Sequence, residues 1–216
     1  MEYRQLGASG QMVSRICLGT MTFGAQVSQE EGISIVREAV ERGVNFIDTA
    51  NVYTGGESEI ITGKAIKGIR EKVILASKCG LPTSDSVLDR GLARSTVMRH
   101  VEDSLRRLGV DHLDLLFLHA PDPNTSLEEI VQTMGLLISS GKVLNYGVSN
   151  FSAWQVCDMV HIAKEQGSYA PIATENVYNM LSRSLDDEMV PFIEQHKLGL
   201  TVYNPLAGGL LTGKHK

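Results

Sequence analysis

Four side chains able to move a proton stand where short apolar runs give out: Asp48 with Tyr53 just beyond in "GVNFIDTANVY", Lys78 in "KVILASK", and His119 in "LDLLFLH". A phenol titrates near ~10 and is a poor proton donor to a carbonyl near neutrality unless a nearby cation stabilises the phenolate. Lys78 has the charge for that. An ammonium is costly to desolvate and needs an anion, which Asp48 can supply, while His119 can hydrogen-bond a substrate oxygen and set its orientation. The expectation is that Asp48 holds Lys78 and that Lys78 lowers the Tyr53 phenol. Each residue also has a plainer reading. Asp48 and Thr49 can cap a loop, Lys78 can be a solvated rim charge, His119 can be a hydrogen-bonded structural histidine, and Tyr53 alone says little. Those readings do not predict all four on successive strand ends.

Only a fold that gathers strand ends makes these residues a site. The first segment, "YRQLGASGQMVSRI", reads as a β-hairpin, with a glycine-containing turn between alternating stretches. Apolar strands follow, "ICLGT", "VNFIDTA", "KVILASK", "LDLLFLH", "LNYGVSN", "APIATEN" and "LGLTVYN", separated by helical stretches such as "SQEEGISIVREAVERG" and "STVMRHVEDSLRRLG". Ser28 with Glu31 and Ser126 with Glu129 form capping-box patterns, and Gly43, Gly109 and Gly141 sit where helices should stop. Such alternation requires a parallel sheet covered by helices, either open and doubly wound or closed as a barrel. The first strand is not followed by GxGxxG, and polar residues follow nearly every strand rather than one switch point, which favours the barrel. The predicted class is α/β: a (β/α)8 TIM barrel after an N-terminal hairpin, one domain over residues 1–216, with about seven strands in the sequence. A full barrel usually needs ~250 residues. The sequence is therefore expected to stop before the fold does, or another chain or segment to fill the gap, with strand edges left unpaired.

On that architecture the rim collects Asp48, Tyr53, Lys78, His119, Ser149, Asn150, Glu175, Tyr203 and Asn204. The formal net charge of -5, without long like-charge blocks, points away from nucleic acid and anionic membranes and toward a small-molecule partner. Cys17, Cys79 and Cys157 lack CxxC spacing, as expected for reduced thiols in the cytoplasm and not for a metal site. The start "MEYRQLG" has no export pattern. "GGLLTGKH" nearly matches a phosphate loop but fails at His215, which cannot replace the magnesium-binding hydroxyl. Oligomeric state is not readable.

From "CLGTMTFG" onward the chain resembles the aldo-keto reductases, nicotinamide-dependent carbonyl reductases on an eight-stranded barrel. "GVNFIDTANVYTGGESE", "ILASKCG", "DLLFLHAPDP", "GKVLNYGVSNF" and "TVYNPLAGGLLTGK" resemble the family's aspartate-tyrosine segment, lysine strand, histidine strand, Ser-Asn segment and cofactor loop. "PDPNTSLEEIVQTM" and "GTMTFGAQ" lean toward the branch that includes potassium-channel beta subunits, whose channel-associated members carry asparagine where this chain has His119. The resemblance implies hydride transfer from NADPH, with NADH as second candidate, to an aldehyde or ketone, Tyr53 donating the proton within a tetrad of Asp48, Tyr53, Lys78 and His119. It implies that Ser149 and Asn150 hydrogen-bond the carboxamide, that Tyr203 stacks on the ring, and that Asn204, Pro205, Leu206, Ala207, Gly208 and Lys214 line the pyrophosphate. Thr20, Met21 and Gln26 are implied to lie close by. Glu175 stands where the family commonly has glutamine; a carboxylate there still accepts from the amide and favours the oxidised, cationic ring. Two other readings stay open: a Schiff-base lyase using Lys78, and a cofactor-binding regulatory subunit with little turnover. Met21, Phe23 and Trp154 are read as packing, with a pocket wall as the alternative.

Overall fold

The computed structural model describes residues 1–214, so His215, on which the phosphate-loop reading turns, lies outside the described residues. β1 (Tyr3–Gln5) and β2 (Met12–Ser14) pair antiparallel as the hairpin. Seven parallel strands follow in sequence order: β3 (Cys17–Gly19), β4 (Phe46–Asp48), β5 (Ile74–Cys79), β6 (Leu113–Leu118), β7 (Val143–Ser149), β8 (Ala173–Val177) and β9 (Gly199–Tyr203). One helix lies in each connection, α1 (Gln29–Glu41), α2 (Glu57–Ile66), α3 (Arg94–Leu108), α4 (Leu127–Ser139), α5 (Ala153–Glu165) and α6 (Met189–His196). The sheet curls into a nearly closed barrel. Among the described residues, β3 is laddered only to β4 and β9 only to β8.

The cap chemistry works as its residue types require. Ser28 Oγ accepts from Glu31 N at 3.2 Å and Ser126 Oγ from Glu129 N at 3.2 Å, satisfying amides that the first helical turn leaves free. α3 stops at Gly109, whose φ of 65° is costly for a residue with a Cβ.

Side-chain direction alternates along each strand, and this divides the apolar residues into two layers. Ile47, Leu75, Leu116, Leu118 and Val148 face outward, where they join Val36, Ile61, Val97, Val101, Met134 and Val156 of the helices. Phe46, Ala76, Leu115, Phe117 and Ala173 face the lumen, where Leu6 and Val13 of the hairpin pack against them. Gly147 makes room for Phe117, since a Cβ there would lie 2.6 Å from the Phe117 ring. The N-terminal end of the barrel is thus filled with hydrocarbon. Continuing the same lumen-facing rows two residues further brings Asp48 after Phe46, Lys78 after Ala76, and Glu175 after Ala173.

Candidate active site

At the C-terminal end the lumen opens into a cavity of about 760 Å³, lined by Cys17, Thr20, Met21, Asp48, Tyr53, Leu81, His119, Ala120, Ser149, Asn150, Glu175, Thr201, Tyr203, Asn204 and Pro205. Lys78 lies behind Asp48 and Glu175 of this lining, fully buried, so the solvated-rim reading of this residue is wrong. Its Nζ donates to Asp48 Oδ2 and to Thr49 O at 3.1 Å, and pairs with Glu175 Oε1 at 3.3 Å. Burial works against the ammonium, but Asp48 and Glu175 outweigh it and hold Lys78 above the ordinary lysine range. Lys78 Nζ also lies 5.1 Å from the Tyr53 ring centroid.

The phenol does not behave as expected. Its pKa is raised, because burial outweighs the pull of Lys78, with Asp48 and Glu175 adding to the rise. Lys78 acts in the expected direction, but two carboxylates sit on the same cation and weaken its effect. Tyr53 therefore keeps its proton in the free site. His119 stands edge-on to Tyr53, ring centroids 5.8 Å apart, and burial followed by the nearby Lys78 charge lowers it to about 4. Its imidazole is neutral at neutral pH, so it offers one N–H and one lone pair.

The opposite wall is built on an irregular backbone. Asn150 takes φ 63°, in the left-handed region where asparagine is enriched among non-glycine residues. Its amide donates to His119 O at 3.2 Å and to Ser149 Oγ at 3.0 Å, and accepts from Tyr203 Oη at 2.9 Å. After β9 the chain turns through Asn204, Ala207, Gly208 and Gly209, all at positive φ, with Asn204 Oδ1 accepting from Gly208 N at 2.6 Å.

Of the residues singled out from sequence, Asp48, Tyr53, Lys78, His119, Ser149, Asn150, Glu175, Tyr203, Asn204, Pro205, Thr20 and Met21 meet at this cavity. Gln26, Leu206, Ala207, Gly208 and Lys214 do not line it. Gln26 is exposed beyond the β3 turn, and the other four lie in or beside the turn after β9, which runs along the surface. Phe23 is buried, packed beside Gly32 of α1, as the packing reading has it. Met21 and Trp154 depart from that reading: Met21 is exposed on the cavity wall, and Trp154 is exposed on α5 and does not line the cavity. Sequence reasoning missed Cys17, Thr201, Leu81 and Ala120. Cys17 and Thr201 could have been found by counting back in twos from Gly19 and Tyr203. Burial, with Asp48 and Glu175 adding, keeps the Cys17 thiol protonated.

Buried polar atoms normally find partners. Here Asp48 Oδ1, Glu175 Oε2, His119 Nδ1 and Thr201 Oγ1 have none, and all four belong to residues that line the cavity. Such a set can meet a ligand that brings hydrogen-bond donors and acceptors, as a carboxamide or a carbonyl compound does.

A model of the aldo/keto reductase family matches residues 15–216. The chain belongs to that family. Among aldo/keto reductase relatives, "Uncharacterized oxidoreductase YrpG" of Bacillus subtilis strain 168 is 39% identical over 225 residues, covering 99% of this chain and 69% of its own length. "Aldo-keto reductase YhdN" of the same strain is 37% identical over 220 residues, covering 99% and 65%. A probable voltage-gated potassium channel subunit beta of Arabidopsis thaliana is 36% identical over 222 residues, covering 100% and 67%. The chain thus spans about two-thirds of the length of these aldo/keto reductase relatives. Family membership supports an oxidoreductase acting on carbonyl compounds. Among the described residues no helix is long and apolar enough to cross a membrane.

Proposed function

We propose that the chain reduces aldehydes or ketones with NADPH, with NADH as the second candidate, in the reducing environment of the cytoplasm, where Cys17, Cys79 and Cys157 stay free thiols. The observation that carries this reading is the protonated Tyr53 beside an ammonium that Asp48 and Glu175 hold charged. The bound nicotinamide would supply the hydride. Tyr53 gives its proton to the substrate oxygen, and Lys78 stabilises the phenolate that remains. Neutral His119 directs its N–H at the same oxygen and orients it. Ser149, Asn150 and Glu175 take the carboxamide end, Tyr203 the ring face, and Thr20 and Met21 the adjoining wall. Asn204, Pro205, Leu206, Ala207 and Gly208 present the exposed turn to the phosphates, with Lys214 and Gln26 at its margins.

The lyase reading fits less well. A Schiff base needs a neutral amine, and Lys78 is held as a cation by three oxygen partners. The regulatory-subunit reading draws support from the channel-subunit relative, but Asp48, Tyr53 and His119 gathered at one cavity beside Lys78 favour turnover. The test incubates the chain with NADPH and a panel of aldehydes. Carbonyl-dependent loss of the NADPH absorbance is expected. Borohydride trapping of a substrate on Lys78 without that loss would replace the reductase with the lyase, and cofactor binding with no turnover would leave the regulatory role.

A further inference from the structure

Glu175 lies between two ladders, opposite Ser149 in β7 and Thr201 in β9. One of its oxygens is taken by Lys78, and the other, Oε2, is buried, unpartnered and part of the cavity wall. With Asp48 and Glu175 both ionised, two anions share one cation, and the cluster carries a net charge of about -1 beside the space meant for a ring. That charge attracts a cationic ring and is indifferent to a neutral one. Protonating Glu175 removes it and turns Oε2 into a hydroxyl donor, which gives the side chain the hydrogen-bonding pattern of glutamine.

We propose that Glu175 couples its own protonation to the redox state of the dinucleotide: ionised it selects the oxidised, cationic nicotinamide, and protonated it selects the reduced, neutral one. This rests on the nicotinamide reading above. Burial, followed by repulsion from Asp48, raises Glu175 to about 7, so both forms are populated near neutrality. Burial raises Asp48 as well, so the two carboxylates titrate as a pair, and the direct bond from Lys78 to Asp48 favours the proton on Glu175. The other groups facing it keep one charge over this range: Lys78 on β5 stays an ammonium, Cys17 on β3 and Tyr53 stay protonated, and His119 after β6 stays neutral.

The test measures NADP+ and NADPH affinities of the 216-residue chain from pH 6 to pH 8.5 by protein fluorescence or calorimetry, for the natural sequence and Glu175→Gln. Both probes carry the same phosphates, whose titration cancels in the ratio of affinities. The ratio favouring NADP+ is expected to rise by about tenfold across this range in the natural chain, corresponding to roughly one pKa unit of linkage. In Glu175→Gln it is expected to be flat and to lie toward NADPH throughout. A flat ratio in the natural chain, or the same slope in both proteins, overturns the coupling while leaving the reductase reading intact. Failure of both dinucleotides to bind at every pH overturns both. If Glu175→Gln does not fold, the slope in the natural chain decides.

Discussion

Ser77 and Lys78 are consecutive residues of β5, and each feeds a buried ion cluster on its own face of the sheet. Outside the barrel, Glu59 of α2 accepts from Ser77 Oγ at 2.5 Å through one oxygen and from Arg107 Nε of α3 at 2.6 Å through the other. Both oxygens are used, and the cluster ties a strand to two helices. Inside, Lys78 engages one oxygen of Asp48 and one of Glu175, and the remaining oxygen of each has no protein partner. A buried carboxylate with every valence met is architecture, and one with a valence left over is a place waiting for a ligand. The same chemistry thus serves structure on one face and a site on the other.

The comparison is sharpest where the two faces are broken separately. On the proposed chemistry, Tyr53→Phe removes the proton donor and lowers carbonyl turnover on the order of 10³-fold, about 4 kcal/mol of transition-state stabilisation. Cofactor affinity, read by fluorescence titration, stays within about threefold because a hydroxyl contributes little contact area. Retained turnover would remove Tyr53 from the chemistry. Glu59→Ala acts on the outer face. It strands Arg107 and Ser77 and costs about 3 kcal/mol in urea unfolding, the lower end for a broken buried pair because Arg107 keeps some water. Turnover per folded molecule is expected to stay within about twofold of the original; a large loss would mean that the two faces are coupled through β5.

The smallest effect concerns stability against pH. The fold raises Glu175 from 4.5 to about 7, so its stabilising contribution is complete below 4.5 and is lost as pH rises through 7. Glu175→Gln does not titrate. It should be more stable than the natural chain at pH 8 by about 2 kcal/mol, with the gain fading toward pH 5. Parallel stability curves from urea titrations at several pH values would contradict this.

How much of this was legible beforehand follows from which interactions are local. Helix caps at Ser28 and Ser126 and the stop at Gly109 depend on neighbouring residues, and the strand rhythm follows from apolar runs, so the barrel and its hairpin could be read directly. The Asp48–Lys78 partnership was legible from charge and from successive strand ends. The net direction of Tyr53 was not, because it depends on how deeply the phenol is buried and on a second carboxylate, Glu175, arriving from the far side of the lumen. Cys17 and Thr201 are small neutral residues within strands, and only the way the sheet curls reveals that they face the cavity. Gln26 and the residues after Pro205 are tied to the cofactor by resemblance alone, because Gln26, Leu206, Gly208 and Lys214 are exposed and do not line the cavity.

The hairpin has a kinetic consequence. With Leu6, Val13, Phe46 and Phe117 stoppering one end, the lumen is a cup and not a tunnel. On the proposed function, two molecules sharing it would come from the C-terminal side or from the unladdered seam between β3 and β9, so the one seated deeper against the hydrocarbon would be covered by the other.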